Sequence, residues 1–176
     1  MGMAQAKVAP PEEYFVIDDA VEAEDFAAMV EAIPDIPWYF SDFVAYKEEE
    51  SACTDGYWIH NLYLNDIPQS DFFPLFMKPL LPIIKKHNFR SLVRARLVCY
   101  ARTDEIVEHE KHWDFAYPHA GLLLYLNDCD GFTRLGDGTK IQSKANRILL
   151  HDAGREHNSS TATDVQRRIL LVVNYL

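Results

Sequence analysis

Cysteine is scarce in this sequence, and the cysteines that are present form no close pair. There are three, Cys53, Cys99 and Cys129, an odd number without the short spacing of zinc or dithiol motifs. Small secreted domains that depend on a disulfide framework are rich in paired cysteines. The sequence therefore argues against such a framework and favours a reducing compartment.

Positive charge and long apolar segments are scarce as well. Lys and Arg number 17 against 27 Asp and Glu, which leaves a net charge of -10. Nucleic acids and anionic membranes are bound by basic surfaces, so both are poor candidates as partners. No stretch approaches the roughly 20 apolar residues of a membrane span, and residues 1–11 contain no apolar run of signal-peptide length. We expect a soluble, cytoplasmic protein, whose oligomeric state the sequence leaves open.

The chain has enough apolar residues for one well-packed core. It contains 176 residues, of which 48% are hydrophobic, a size and composition typical of a single globular domain. Residues 1–12, rich in Ala and Pro, are expected to be a flexible tail. Residues 13–176 are expected to form the domain. Helical spacing of apolar residues between 26 and 33 predicts an N-terminal helix that ends at Pro34.

The second half of the chain is rich in short β-type segments. Three prolines in residues 71–88 predict short, kinked helices there, after which the apolar pattern changes. Clusters of Gly, Asp and Asn separate the β-rich runs, as they do in sandwiches and barrels. These runs are Val93–Ala101, Leu122–Leu126, Arg147–Leu150 and Ile169–Leu176. We expect a mainly β core, with the N-terminal helix laid on it, and make no individual assignment within residues 37–70.

Two histidines and an aspartate are the candidate metal ligands. His112 and Asp114 are two residues apart, so on an extended chain their side chains lie on the same face. With seven histidines and 27 acidic residues among 176, about one such match is expected by chance, so the pair alone is weak. His157 adds weight because it follows a predicted strand, Ile148–Leu150, that could return beside the first. Two imidazoles and one carboxylate leave three octahedral positions open, which suits iron(II) better than zinc. His151, at the end of the same strand, is the alternative to His157.

Arg168 is the candidate anion-binding residue. It precedes the apolar run Ile169–Tyr175, and a guanidinium on a strand that enters the core needs an anionic partner. The planar guanidinium matches the geometry of a carboxylate. Strand alternation turns Arg167 to the opposite face, although Arg167 remains the alternative. The hydroxyl of Tyr125 could share the same carboxylate, and core packing of this tyrosine is an equal possibility.

Taken in order, these motifs resemble those of the 2-oxoglutarate/iron(II) oxygenases, and in particular their prolyl-4-hydroxylase-like branch. The resemblance covers roughly residues 93–176, and the ordered set is far more specific than any one member. The matching pieces are Arg94–Tyr100, His112–Asp114, Leu122–Asn127, Asn146–Leu150, His157, and Arg168 six residues before Asn174-Tyr175. The resemblance implies a double-stranded β-helix, a jelly-roll or cupin-like core with supporting N-terminal α-helices.

The same resemblance implies the cofactors and the residues that hold them. Iron(II) is expected on His112, Asp114 and His157. The distal carboxylate of 2-oxoglutarate is expected on Arg168 and Tyr125. Tyr100 is expected close to the bound 2-oxoglutarate. O2 is then the second co-substrate, and ascorbate is a candidate reductant.

The implied activity is hydroxylation of an unactivated C–H bond with release of succinate and CO2. A peptidyl prolyl or other peptidyl residue is the favoured substrate, and a free small metabolite or a nucleobase is the alternative within the same chemistry. The alternative from another class is a cupin-like module that binds a metal or ligand without catalysis. The aromatic-rich residues 37–63 could form a lid or the rim of a substrate site.

Overall fold

A computed structural model describes residues 13–42 and 56–176. The expected tail, residues 1–12, and Cys53 lie outside the described residues. The helices are α1 (Ala23–Ala32), a 3₁₀ helix (Ile33–Asp35), α2 (Phe73–Met77) and α3 (Leu81–Lys85). The strands are β1 (Phe15–Ile17), β2 (Tyr39–Ser41), β3 (Tyr57–Leu64), β4 (Ile67–Pro68), β5 (Leu92–Ala101), β6 (Ala120–Tyr125), β7 (Phe132–Leu135), β8 (Lys140–Gln142), β9 (Arg147–Asp152), β10 (His157–Ser159) and β11 (Arg167–Tyr175).

The strands form one large and one small antiparallel sheet. The large sheet has the order β1-β9-β6-β11-β5-β3-β2, with β4 paired to β3, and the small sheet has the order β10-β7-β8. The long strands β5, β6 and β11 lie side by side at the centre of the large sheet. Side chains alternate between the two faces of each strand, so these three strands supply both faces of the sheet at its centre.

One face of the large sheet, called the helix face below, packs against the helices. Leu97, Leu124 and Leu171 on the three central strands are fully buried there, together with Met29 of α1 and Phe76 of α2. Burial of large apolar side chains is the main favourable contribution to folding, so this layer holds the domain together.

The other face, called the cavity face below, is directed at the small sheet. Leu123, Leu170 and Val172 belong to a second apolar cluster, to which the small sheet contributes Leu135 and Ile141. The two sheets together line a cavity, with residues of β5, β6 and β11 on one wall and residues of β7 and β10 on the other.

The helices follow from the positions of proline and of acidic residues. Glu24 and Asp25 lie in the first turn of α1, where the positive end of the helix dipole favours negative charge. Pro74 and Pro82 lie in the first turns of α2 and α3, where the missing amide hydrogen leaves no backbone acceptor unpaired. They divide the apolar segment 71–88 into two short helices, as the sequence predicts.

The four β-rich runs predicted in the second half correspond to β5, β6, β9 and β11, although Leu126 and Leu176 each lie one residue beyond the strand. Residues 37–70, which the sequence left unassigned, contain β2, β3 and β4. Among the described residues, no helix combines the length and the apolar character needed to cross a membrane.

Candidate functional site

The structure brings His112, Asp114 and His157 together at one end of the cavity. One donor atom from each side chain lies within 4.8 Å of the others, a spacing that a single metal ion could bridge. His112 and His157 exchange two backbone hydrogen bonds of 2.9 Å, which hold the two rings next to each other, tilted by 53° at a centroid distance of 4.8 Å. The family resemblance implies that His112 and Asp114 end a strand. Instead, His112 forms an isolated bridge to His157 of β10, outside the named strands.

Backbone carbonyls orient the two imidazole rings. Nδ1 of His112 lies 3.1 Å from the carbonyl oxygen of Glu110, and Nδ1 of His157 lies 2.9 Å from that of Arg155. A carbonyl only accepts hydrogen bonds, so each Nδ1 carries the proton and each Nε2 keeps its lone pair. Metal-binding histidines are commonly oriented in this way, with the second ring nitrogen held by a neighbouring acceptor.

The carboxylate of Asp114 is held by two donors from the large sheet. Arg94 donates to Oδ1 at 2.7 Å, and the side-chain amide of Asn174 donates to Oδ2 at 2.8 Å. Burial by itself raises the pKa of Asp114, but the nearby positive charges, that of Arg94 foremost, outweigh it and bring the pKa below its ordinary value. Burial and the neighbouring His157 lower the pKa of His112. The set therefore presents an ionised carboxylate with neutral imidazole, the protonation states that a metal requires.

These donors fit an iron(II) ion. Two imidazoles and one carboxylate on one side of an ion are typical of non-haem iron(II) sites that keep open positions. Structural zinc sites are closed by four ligands. The donor set of this structure therefore favours the octahedral metal that the sequence predicts, while the assignment of the ligands stays a prediction.

His151, the alternative to His157, lies behind it on β9. Its ring meets that of His157 edge to face at a centroid distance of 4.9 Å, and the side chain is buried. Burial, with His157 as the next contribution, lowers the pKa of His151 to about 3. Gly121 makes room for the ring, because a Cβ there would lie 2.9 Å from His151 Nε2. His151 is thus a neutral packing partner of His157 and does not belong to the group of three donors among the described residues.

Arg168 is a fully buried cation next to the other end of the cavity. Its guanidinium donates to the hydroxyl of Ser143 at 2.7 Å, the hydroxyl of Ser159 at 2.6 Å, and the carbonyl of Ser160 at 3.0 Å, with a longer contact of 3.3 Å to Thr133. All of these partners are neutral. Arg167 is exposed, on the opposite side of the strand.

The charge of Arg168 is not balanced by any carboxylate of the described residues. Within residues 13–42 and 56–176, no Asp or Glu forms an ion pair with it. A buried charge without a counter-ion is costly, so the guanidinium needs an anion to be bound beside it. A small dicarboxylate reaching from Arg168 toward the metal ligands would supply that charge.

Two tyrosines flank the guanidinium of Arg168. The rings of Tyr100 and Tyr125 have their centroids 5.7 and 5.6 Å from its central carbon. Tyr125 donates its hydroxyl to Thr133 at 2.9 Å. Burial raises the pKa of both tyrosines, so both hydroxyls stay protonated and able to donate. All three residues expected for 2-oxoglutarate thus lie together next to the cavity, and Tyr100 lines it.

Sequence reasoning missed several polar residues of the cavity. Thr133 and Ser159 line it beside Arg168, and Arg96 lines it near the metal ligands. Arg94 holds Asp114, as described above. The positions of Arg94 and Arg96 on a predicted strand, in phase with Tyr100, were the available signal.

Comparisons with known proteins give a consistent result at the level of structure. No family model matches the sequence, and no curated protein matches it. A prolyl-4-hydroxylase from Pseudomonas putida has a similar structure, with a TM-score of 0.63 and 14% identity over 93% of this chain and 92% of that chain. This chain has the fold of the 2-oxoglutarate/iron(II) oxygenases. The expected double-stranded β-helix is confirmed.

Two further structures show the range of oxygenases with this fold. A prolyl hydroxylase from Trichoplax adhaerens, in complex with a hypoxia inducible factor peptide fragment, matches with a TM-score of 0.65 and 14% identity over 92% of this chain and 83% of that chain. HygX from Streptomyces hygroscopicus, with nickel, 2-oxoglutarate and hygromycin B bound, matches with a TM-score of 0.62 and 10% identity over 93% of this chain and 82% of that chain. The oxygenase fold therefore occurs with both peptide and small-molecule ligands.

Proposed function

We propose that this protein is a 2-oxoglutarate- and iron(II)-dependent dioxygenase that hydroxylates an unactivated C–H bond. The observation that carries the proposal is the fully buried Arg168, which has no acidic partner among the described residues and is adjacent to the cavity that holds two histidines and an aspartate. A cupin-like module without catalysis would have no use for a buried cation and an open metal site together.

His112, Asp114 and His157 are proposed to hold the metal. Arg94 and Asn174 keep both carboxylate oxygens of Asp114 in place, so the donor set is preorganised before metal binds. When bound, iron(II) with 2-oxoglutarate and O2 supplies the oxidising chemistry, with release of succinate and CO2.

The remaining residues are proposed to bind and shield the co-substrate. Arg168 binds the distal carboxylate of 2-oxoglutarate, and Tyr100 and Tyr125 complete the pocket around it. Thr133 and Ser159 hold the guanidinium in place through their hydroxyls. Leu123, Leu170 and the other apolar residues of the cavity face exclude water from the reacting groups.

A peptidyl residue, with proline first, is the favoured substrate, and the support for it is the fold shared with prolyl hydroxylases. A small-molecule substrate is the second candidate, because HygX has the same fold and its structure contains hygromycin B. Trp113 and Tyr117 are exposed and close in sequence to the metal ligand Asp114. They offer aromatic surface to either a peptide or a small-molecule substrate.

The experiment that tests this function measures co-substrate binding and turnover. The protein is purified without air and mixed with iron(II) and 2-oxoglutarate. We expect a weak visible charge-transfer band, and succinate production once O2 and ascorbate are added. Absence of both metal binding and succinate formation in the parent protein would overturn the proposal.

Matched variants sharpen this experiment. His112→Ala is expected to abolish metal binding, whereas His87→Ala, which removes a ring that packs on Phe15 away from the cavity, is expected to keep it. Arg168→Ala is expected to lose 2-oxoglutarate, whereas Arg167→Ala, on the exposed side of the same strand, is expected to bind it like the parent. Equal behaviour within either pair would contradict the assignment of that residue.

A further inference from the structure

Strand β5 directs two arginines toward the metal ligands, and among the described residues only Arg94 forms an ion pair. Arg94 and Arg96 are two residues apart and therefore share the cavity face with Tyr100. The charge of Arg94 is balanced by Asp114, with a hydrogen bond of 2.7 Å, and its Nε donates to Asn174 at 3.0 Å. The second arginine, Arg96, has no such arrangement.

Arg96 lines the cavity together with the three candidate metal ligands. Its Nε is buried and has no hydrogen-bond partner. Within the described parts of the chain, no Asp or Glu forms an ion pair with it, and its guanidinium carbon lies over the ring of Tyr57, 5.9 Å from the ring centroid. Both oxygens of Asp114 are already occupied by other donors. A guanidinium with a buried, unpartnered N–H beside an open cavity is suited to an anion that enters from outside.

Arg96 and Arg168 lie at different levels of the large sheet. In the sheet register, Arg168 lies opposite Tyr100, and Val172 lies opposite Arg96. Four residues of strand separate these two levels, about 13 Å at the rise of a β-strand. Arg168 therefore lies next to the Tyr100 end of the cavity, and Arg96 lines the cavity at the metal end.

We propose that Arg96 binds a carboxylate at the metal end of the cavity. The inference rests on the proposed function, because it assigns a second anion site beside the same metal ligands. The carboxylate has two possible sources, the keto-acid end of 2-oxoglutarate or an acidic group of the primary substrate. In both cases the guanidinium accommodates the two oxygens side by side.

The first arm of the test measures the co-substrate. Nickel(II) replaces iron(II) so that no turnover occurs, and calorimetry gives the Kd of 2-oxoglutarate for the parent, Arg96→Met and Arg96→Lys. If the co-substrate is the source, Arg96→Met raises this Kd about tenfold or more, the effect of losing one charged hydrogen bond, and Arg96→Lys recovers part of it. Arg102→Met, at an exposed position just beyond the end of the same strand, is the control and is expected to bind like the parent.

The second arm measures the substrate side. The nickel protein is saturated with 2-oxoglutarate, and acetate and its neutral isostere acetamide are compared by thermal shift at constant ionic strength. If the substrate is the source, acetate stabilises the parent more than acetamide does, and Arg96→Met removes the difference while leaving the Kd of 2-oxoglutarate unchanged. The proposal is wrong if Arg96→Met changes neither the Kd of 2-oxoglutarate nor the response to acetate.

Failure of the proposed function gives a different result. In that case the parent itself does not bind nickel or 2-oxoglutarate, and the acetate comparison is made on the protein without either. A response to acetate that disappears in Arg96→Met would then support the anion site alone, and an equal response in both proteins would overturn it.

Discussion

The helix face and the cavity face of the large sheet are built from the same strands but serve different purposes. On the helix face, Leu97, Leu124 and Leu171 pack against the helices without a polar contact to satisfy. On the cavity face, the alternate positions include Arg96, Arg168 and other polar residues interspersed with leucine and valine. The strand period of two allows one segment to pack an apolar face against the helices and to present polar side chains to the cavity.

This difference predicts how the two faces respond to mutation. Residues of the helix face contribute mainly to the free energy of unfolding. Buried charges of the cavity face are expected to contribute little to that free energy or to oppose folding, and to affect ligand binding instead. Four predictions test the comparison, from the largest expected effect to the smallest.

Truncation on the helix face is expected to be the most damaging to stability. Leu124→Ala removes a fully buried side chain from the core and is expected to lower the free energy of unfolding by about 2–5 kcal/mol. Leu123→Ala, its neighbour on the same strand, enlarges a cavity that already exists and is expected to cost less. Urea denaturation measures the free energy of unfolding of both variants. An equal or larger loss for Leu123→Ala would contradict the proposed difference between the two faces.

Replacement of Arg168 is expected to separate stability from binding. Arg168→Met removes a buried charge, so the free energy of unfolding without ligand should stay close to that of the parent or rise. The stabilisation by 2-oxoglutarate, about 2.7 kcal/mol when its concentration is one hundred times the Kd, should disappear. Thermal denaturation with and without 2-oxoglutarate measures both quantities. A variant that unfolds easily and still binds 2-oxoglutarate would assign Arg168 to the scaffold.

Gly131 is expected to affect both stability and 2-oxoglutarate binding, because it allows Arg168 to lie close to the backbone. A Cβ at Gly131 would lie 2.5 Å from Cδ of Arg168 and 2.7 Å from the carbonyl oxygen of Thr161. Gly131→Ala is therefore expected to cost about 1–3 kcal/mol and to weaken 2-oxoglutarate binding by displacing the guanidinium. Gly138→Ala is the control, because Gly138 has a φ of 93° and open space around it, so its cost is backbone strain alone. Calorimetric titration should show weaker 2-oxoglutarate binding in the first variant only.

The smallest effect is expected from an ion pair at the edge of the small sheet. Two hydrogen bonds from Arg134 lower the pKa of Glu108 from 4.5 to about 2. A carboxyl with a lowered pKa in the folded state contributes stability above its unfolded pKa, and the contribution is lost as the pH falls from 4.5 toward 2. The pair is partly exposed, so we expect about 0.5 kcal/mol.

Glu108→Gln should therefore reduce the free energy of unfolding at neutral pH and make its loss on acidification slightly less steep. Urea denaturation over that pH range measures the slope, and Glu105→Gln, an exposed residue three positions earlier, is the control. If the free energy of unfolding depends on pH identically in the parent and in Glu108→Gln, the Glu108–Arg134 pair does not contribute to stability.

Long β-rich segments were predictable, and short ones were not. Strands β5, β6 and β11 are six to ten residues long and consist mostly of apolar and β-branched residues, so their sequences indicate strands without further information. Strands β8 and β10 have three residues each, too few to establish a period, and they form through pairing with β7. The order of motifs was therefore visible in the sequence, whereas the second wall of the cavity was not.

The same distinction applies to the site. His112 and Asp114 are neighbours in sequence, and the burial of Arg168 follows from strand alternation. The partners of these residues come from distant segments, since Arg94 is 20 residues from Asp114 and Asn174 is 60 residues from it. Local periodicity carries no information about contacts over such separations.

By itself, the sequence determined the mainly β architecture, the two histidines and the aspartate, and the inward direction of Arg168. These features depend on local spacing, which strand geometry converts directly into a shared face. Only the tertiary structure decided that Arg168 has no counter-ion among the described residues, that Arg94 secures Asp114, and that Arg96 is left facing the cavity. Charge balance in a buried site depends on every group that surrounds it, and those groups come together only when the sheets close on each other.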